Sequence, residues 1–87
     1  IEVETRNLDE VQEAVDCGVN VIMLDNMDCP TMAQAVKLVA GRAKLEASGN
    51  VTMENIREVA ETGVDIISLG ALTHSVKAFD ISMKWKK

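Results

Sequence analysis

The chain has 87 residues, 47% hydrophobic and 26% charged, with a formal net charge of −5. That length holds one domain at most, or a piece of one, and the composition is that of a folded chain rather than a disordered one. No apolar run approaches the roughly 20 residues that cross a bilayer, and the acidic balance argues against general nucleic-acid binding, which needs a basic surface.

IEVE at 1–4 reads as a strand. Asn7 then stands where a helix N-cap is wanted, and Leu8, Val11, Ala14 and Val15 recur at three- and four-residue spacing, which gives the following helix one apolar stripe. Gly18 closes that helix at a position where a left-handed backbone is costly for other residues. VNVIML (19–24) is a short continuous apolar run rich in β-branched residues, as expected of a strand covered on both faces and hence of a parallel sheet. Pro30 suits the first turn of a helix running to about Gly41, with Met32, Ala35, Val36 and Val39 inward. AKLEA (43–47) is the third strand. Thr52 caps a helix starting near Val51 to Thr52, with Asn55 rather than Glu three residues on, so no strict capping box exists. Gly63 closes this helix, VDIISL (64–69) is the fourth strand, and Ser75 to Lys86 makes a last helix with Val76, Phe79 and Met83 inward. At an offset of 45 residues, LDEVQEAVDCGVNVIML (8–24) lies over MENIREVAETGVDIISL (53–69) with hydrophobic, acidic and glycine positions coinciding nearly throughout.

The order β-α-β-α-β-α-β-α predicts an α/β fold of four parallel β-α units, with every strand's carboxyl end at one edge. Half of an incomplete TIM-like α/β barrel and a small doubly wound sheet both fit. Half a barrel is the favoured reading; since closure needs about eight strands, it leaves two open sheet edges. Such a chain should dimerise or belong to something longer, and a start at Ile1 without a methionine points to a fragment. Cys17 and Cys29, with one distant histidine, do not make a zinc site and read as packing residues in a reducing, cytoplasm-type compartment.

The four strand ends carry Glu4, then Asp25-Asn26, then Glu46 with Ser48-Gly49-Asn50, then Gly70-Ala71. Ligands of α/β sheets and barrels sit over this edge. Ser48, Gly49 and Asn50 ahead of the third helix, and Gly70-Ala71 ahead of the last, offer backbone N–H groups and helix dipoles for a phosphate. Glu4 and Asp25 on neighbouring strands face the rest of such a ligand, where carboxylates accept sugar hydroxyls, hold Mg²⁺ or stabilise positive charge developing on a ribose. Each residue also has a plainer use. The glycines serve as turns, Asp25 as an N-cap or Asx turn, Glu4 as an exposed strand end, and His74 as an exposed loop residue. Glu46 fits the other side of the sheet equally well, paired with Lys44 or Arg42.

The succession IEVE, VIMLDNM, LEASGN and ETGVDIISLGALTHS resembles the carboxyl-terminal part of quinolinate phosphoribosyltransferase, and the likeness runs over the whole chain. The resemblance implies an enzyme that condenses quinolinate with phosphoribosyl pyrophosphate in the presence of Mg²⁺, with no organic cofactor. It releases pyrophosphate and carbon dioxide and gives nicotinate mononucleotide for NAD synthesis. It also implies an incomplete barrel preceded by an amino-terminal sandwich, assembled as a dimer or a dimer-based hexamer. By the same resemblance Glu4 and Asp25 match catalytic carboxylates beside the ribose and metal. Ser48, Gly49, Asn50, Gly70, Ala71 and His74 fall in the 5′-phosphate pocket, with Asn50 standing where many relatives carry a second glycine. The groups that bind the quinolinate carboxylates come from segments before Ile1; Arg6 and Arg42 do not match them. Two other readings compete: an inactive half-barrel that binds phosphate or self-associates through its open edges, and a different phosphate-binding barrel acting on another phosphoribosyl or thiazole phosphate.

Overall fold

The computed structural model describes Ile1–Leu69 and the backbone of His74–Lys77. The elements are β1 (Glu2–Thr5), α1 (Leu8–Asp16), β2 (Val21–Asp25), α2 (Cys29–Val39), β3 (Lys44–Ser48), α3 (Ile56–Glu61), β4 (Ile66–Leu69) and β5 (His74–Lys77).

α1 begins where Asn7 Oδ1 accepts a hydrogen bond from the Glu10 N–H at 2.9 Å, and Asp9 and Glu10 set negative charge against the positive end of the helix dipole. It buries Val11 and Ala14, and just beyond it Gly18 turns the chain at a φ of +74°. α2 has Asp28 as N-cap, accepting from the Thr31 N–H at 2.9 Å, with Pro30 in the first turn where its missing N–H costs nothing. Met32, Ala35 and Val39 are buried as expected and Val36 is half-buried. Arg42 caps the far end of α2, donating to the carbonyl oxygens of Leu38 at 2.7 Å and Val39 at 3.0 Å.

β1, β2, β3 and β4 are parallel and lie side by side in chain order. That order decides between the two architectures. A doubly wound sheet reverses its strand order to bring helices to both faces, whereas an unreversed succession of right-handed crossovers puts every helix on one face. The structure is half of an α/β barrel. Ile22, Leu24, Leu45, Ala47 and Ile67 form the helix-covered face and are at most 3% exposed. Burial of Ile22, Leu24 and Ile67 contributes about 1.5–3 kcal/mol each. Asp65 locks β4 beside β3, its side chain accepting from the Leu45 N–H and its own N–H donating to the Leu45 carbonyl, both at 2.9 Å.

Three expectations are corrected. Among the described residues the strands are covered by helices on one face only, and Val21, Met23 and Ile66 on the other face are half-buried. α3 starts at Ile56 rather than near Val51 to Thr52. The Thr52 N–H donates to Asn55 Oδ1 at 2.8 Å and the Asn55 N–H to Thr52 Oγ1 at 3.3 Å, while Asn55 Nδ2 donates to the Asn50 carbonyl at 2.7 Å. These bonds close a turn that competes with the helix, as Asn side chains do. Finally, the segment expected to open the last helix at Ser75 is β5, paired antiparallel with β4 from Ile66↔Lys77 to Leu69↔His74. A strand there gives the outer edge of β4 the hydrogen-bond partners that a helix would withhold. One of the two expected open edges is therefore closed by the chain itself. Phe79, Met83 and the rest of 78–87 lie outside the described residues.

Candidate functional site at the strand ends

Parallel pairing brings the ends of β1, β2 and β3 to one edge. Glu4 pairs with Met23 and Asp25 with Ser48, so Glu4, Asp25 and Ser48 share the face that the helices leave open. Glu4 and Asp25 are diagonal neighbours across β1 and β2. A rise of 3.3 Å per residue and a strand spacing of 4.8 Å put their Cα atoms about 8 Å apart. Glu4 is exposed and Asp25 partly covered, its side chain 22% accessible.

Beyond Ser48 the chain passes through two left-handed residues, Gly49 at φ +72° and Asn50 at φ +33°. Asn26, directly after Asp25, is left-handed as well, at φ +56°. Its N–H donates to the Ser48 carbonyl at 2.9 Å. A Cβ on Gly49 would collide with the Asn26 side-chain amide and stand 3.2 Å from the Asn26 nitrogen. The bare backbone in LEASGN is thus required by the close approach of LDN.

Arg6, set aside in the sequence as no match for the quinolinate-binding groups, stands at the rim. Arg6, just past β1, places Nε 3.8 Å from Asp25 Oδ2, although its own side chain is 74% accessible. A pair this open contributes about 0–1 kcal/mol; its effect is to hold a cation beside Asp25. The signal for it is the parallel register, since Thr5 opposes Leu24 and the next residue comes to stand beside Asp25. Glu46 resolves to the same face as Glu4, where it is 9% exposed and accepts a hydrogen bond from the Ser68 hydroxyl. The proposed partnership with Arg42 does not form, because Arg42 is committed to the end of α2.

The phosphate cup is only half described. Gly70 and Ala71 lie outside the described residues, and of His74 only the backbone is described, opposite Leu69. Because α3 begins at Ile56, the N–H groups of Ser48, Gly49 and Asn50 are not the first turn of a helix; what they offer is a left-handed turn, the backbone shape that gathers N–H groups into an anion nest. A cavity of about 500 Å³ borders this turn, lined by Asn26, Asp28, Cys29, Asn50, Asn55 and Glu58 among others. Among the described residues its lining also includes Ser48 and Gly49, and it carries the carboxylates of Asp28 and Glu58 and no Lys or Arg. Hydrogen bonding to Thr31 holds the Asp28 carboxyl below its ordinary value, whereas burial, and then the charges of Glu58 and Asp28, raise the Cys29 thiol. That shift is away from the reactive thiolate, and half-buried Cys29 packs against the core. No group of three metal-ligating side chains occurs among the described residues. Glu4 and Asp25 remain a pair, which suits an ion completed by ligand oxygens and water.

Parallel strands that follow one another in chain order with helices on one face are the architecture of the α/β barrels, a class whose ligands sit at the carboxyl edge of the sheet. More closely, the chain belongs to the family described as quinolinate phosphoribosyl transferase, C-terminal domain, which it matches over residues 1–84. It is 52% identical over 87 residues to a probable nicotinate-nucleotide pyrophosphorylase (carboxylating) of Synechocystis, covering 97% of this chain and 30% of that protein. Against quinolinate phosphoribosyltransferase (decarboxylating) 2b of Nicotiana tabacum, named mitochondrial, identity is 48% over 99 residues, with 97% and 28% coverage. The solved nicotinate-nucleotide pyrophosphorylase of Francisella tularensis superposes with a TM-score of 0.78 at 40% identity, over 88% of this chain and 28% of that one. That of Ehrlichia chaffeensis gives 0.80 at 42%, over 85% and 27%. The chain spans less than a third of the length of these relatives.

Proposed function

We propose that this chain is the phosphoribosyl-binding half of a quinolinate phosphoribosyltransferase, an enzyme that converts quinolinate and phosphoribosyl pyrophosphate to nicotinate mononucleotide, pyrophosphate and carbon dioxide. The observation that carries the reading is the shared edge: Asp25 in register with Ser48, Glu4 on the same face, and the left-handed Gly49-Asn50 turn beside them. Breaking the bond from ribose C1 to pyrophosphate builds positive charge on the sugar, which fixed carboxylates at Glu4 and Asp25 stabilise. The pyridine nitrogen supplies the new bond to C1, so no covalent nucleophile on the protein is needed. Arg6 beside Asp25 keeps that carboxylate oriented. The Ser48–Asn50 turn holds the 5′-phosphate, with Gly70, Ala71 and His74 assigned to the same pocket. Glu4 and Asp25 would hold Mg²⁺ with the leaving group, where the ion supplies charge neutralisation. Quinolinate is bound by groups outside this chain, in an assembly of dimers. Cys17 and Cys29 are free thiols, consistent with a reducing compartment such as the cytoplasm.

The test is formation of nicotinate mononucleotide by the full-length protein; its absence overturns the assignment. Tighter binding of nicotinate mononucleotide than of ribose 5-phosphate is expected, and equal affinity would favour a different phosphate-binding barrel. The outer edge of β1, without a partner among the described residues, favours a second reading for the isolated piece, an inactive half-barrel that self-associates.

A further inference from the structure

We propose that Asn26 is the positioning residue that fixes the Ser48–Asn50 turn relative to Asp25, so that the carboxylate and the phosphate-holding turn form one rigid unit. The inference rests on the functional reading above for its ligand but on separate geometry for its mechanism. Asn26 is held at φ +56°, a conformation that costs most residues about 1–2 kcal/mol and Asn less. Such a conformation persists only where the surroundings over-determine it. Here they do so twice. The Asn26 N–H donates to the Ser48 carbonyl at 2.9 Å, which ties the end of β2 to the end of β3. The Asn26 side chain occupies the volume that any Cβ at position 49 would need. The exposed amide lies over Gly49, and a Cβ there would have to push it aside and would still stand 3.2 Å from the Asn26 nitrogen. Asp25, one residue earlier, inherits the same anchor. A phosphate held by the turn and a ribose held by Asp25 are parts of one ligand. Their spacing is therefore set at Asn26, although Asn26 needs no contact with the ligand.

A double-substitution cycle tests this in the full-length protein. Asn26→Gly keeps the left-handed backbone accessible while removing the amide. We expect it to raise KM for phosphoribosyl pyrophosphate about tenfold, with KM for quinolinate changed less than about twofold, because only the phosphoribosyl spacing is loosened. Gly49→Ala alone should weaken nicotinate mononucleotide binding at least about tenfold, and the same substitution in the Asn26→Gly background should cost less than about threefold. The melting temperature follows the same cycle without any ligand, so it tests the interlock even if the wild-type protein makes no nicotinate mononucleotide. Equal costs of Gly49→Ala in both backgrounds, in melting temperature or in binding, overturn the proposal. So does an Asn26→Gly protein whose two KM values rise together. Asn26→Asp, which also tolerates the left-handed backbone and has nearly the same shape, should restore melting temperature to within a few degrees; failure to do so overturns a role that rests on the side chain's shape and position.

Discussion

Asp25 carries most of the proposed chemistry and little of the packing. Its side chain is 22% accessible, and its ion pair with Arg6 spans 3.8 Å on an open surface. Asp25→Ala in the full-length protein should therefore lower turnover about 10²–10³-fold, the scale of removing one preorganised electrostatic group, while stability changes by about 0.5 kcal/mol or less. Parallel turnover and thermal-melting measurements check this, and a fall of more than about 5 °C in the melting temperature would mean that Asp25 is structural. Much of the residue-level site could be read from sequence, because strand ends are where acids and glycines interrupt apolar runs. Glu4, Asp25 and Ser48 are brought to one edge on that logic alone. What sequence could not supply was register. Arg6 was weighed only as a partner for quinolinate until pairing set it beside Asp25, and Glu46 had two possible sides until Ser68 came within reach on one of them. Asn26 was hidden differently, since a left-handed Asn and the glycine that accommodates it belong to loops more than twenty residues apart.

Among the elements, α2 has the clearest local instructions. Asp28 accepts from the Thr31 N–H, and hydrogen bonding to Thr31, through its side chain first and its backbone N–H second, holds the Asp28 carboxyl below its ordinary value. A depressed folded-state value stabilises the fold above the unfolded value and is lost as pH falls through the folded one, so this cap should fail from about pH 4 downward. Asn accepts the same hydrogen bond without titrating. Melting curves between pH 7 and pH 2 should therefore diverge, with the wild type losing more stability on acidification than Asp28→Asn; identical pH profiles would show that the cap does not depend on ionisation. The cap and closing glycine of α1, and Pro30 and the end near Gly41 for α2, were legible because each is a single residue acting within one turn, whereas the Asp28 cap was not read. α3 was not. Its repeat partner α1 runs nine residues, yet Thr52 and Asn55 bond each other and shorten α3 to six. The missing Glu at position 55 was visible in sequence, but its consequence depended on Asn55 reaching back to Asn50. β5 was likewise mistaken for a helix start, because HSVK has no strong period and its strand character comes from the free edge of β4.

At the scale of the whole molecule, the strand order β1-β2-β3-β4-β5 leaves the outer edge of β1 without a partner among the described residues and one sheet face without helices. Val21, Met23 and Ile66 lie half-buried on that face, interleaved with Glu4, Asp25 and the largely buried Glu46. In the far longer relatives, the remaining two thirds and more of the chain are available to cover such surfaces. The 87-residue piece alone has only copies of itself. β1 is four residues long and carries Glu2 and Glu4, features that blunt an edge against pairing, and each copy bears a net charge of −5. Apolar surface therefore drives association while like charge opposes it, and only the second term is screened by salt. Sedimentation or light scattering of the isolated chain should show a monomer–dimer equilibrium that tightens between about 0.01 M and 0.15 M salt, as the Debye length shrinks from about 30 Å to about 8 Å. A monomer at every salt concentration would mean that the open edge and face are satisfied within the chain. Association that weakens with salt would mean that it is held by ion pairs and not by the uncovered half of a barrel.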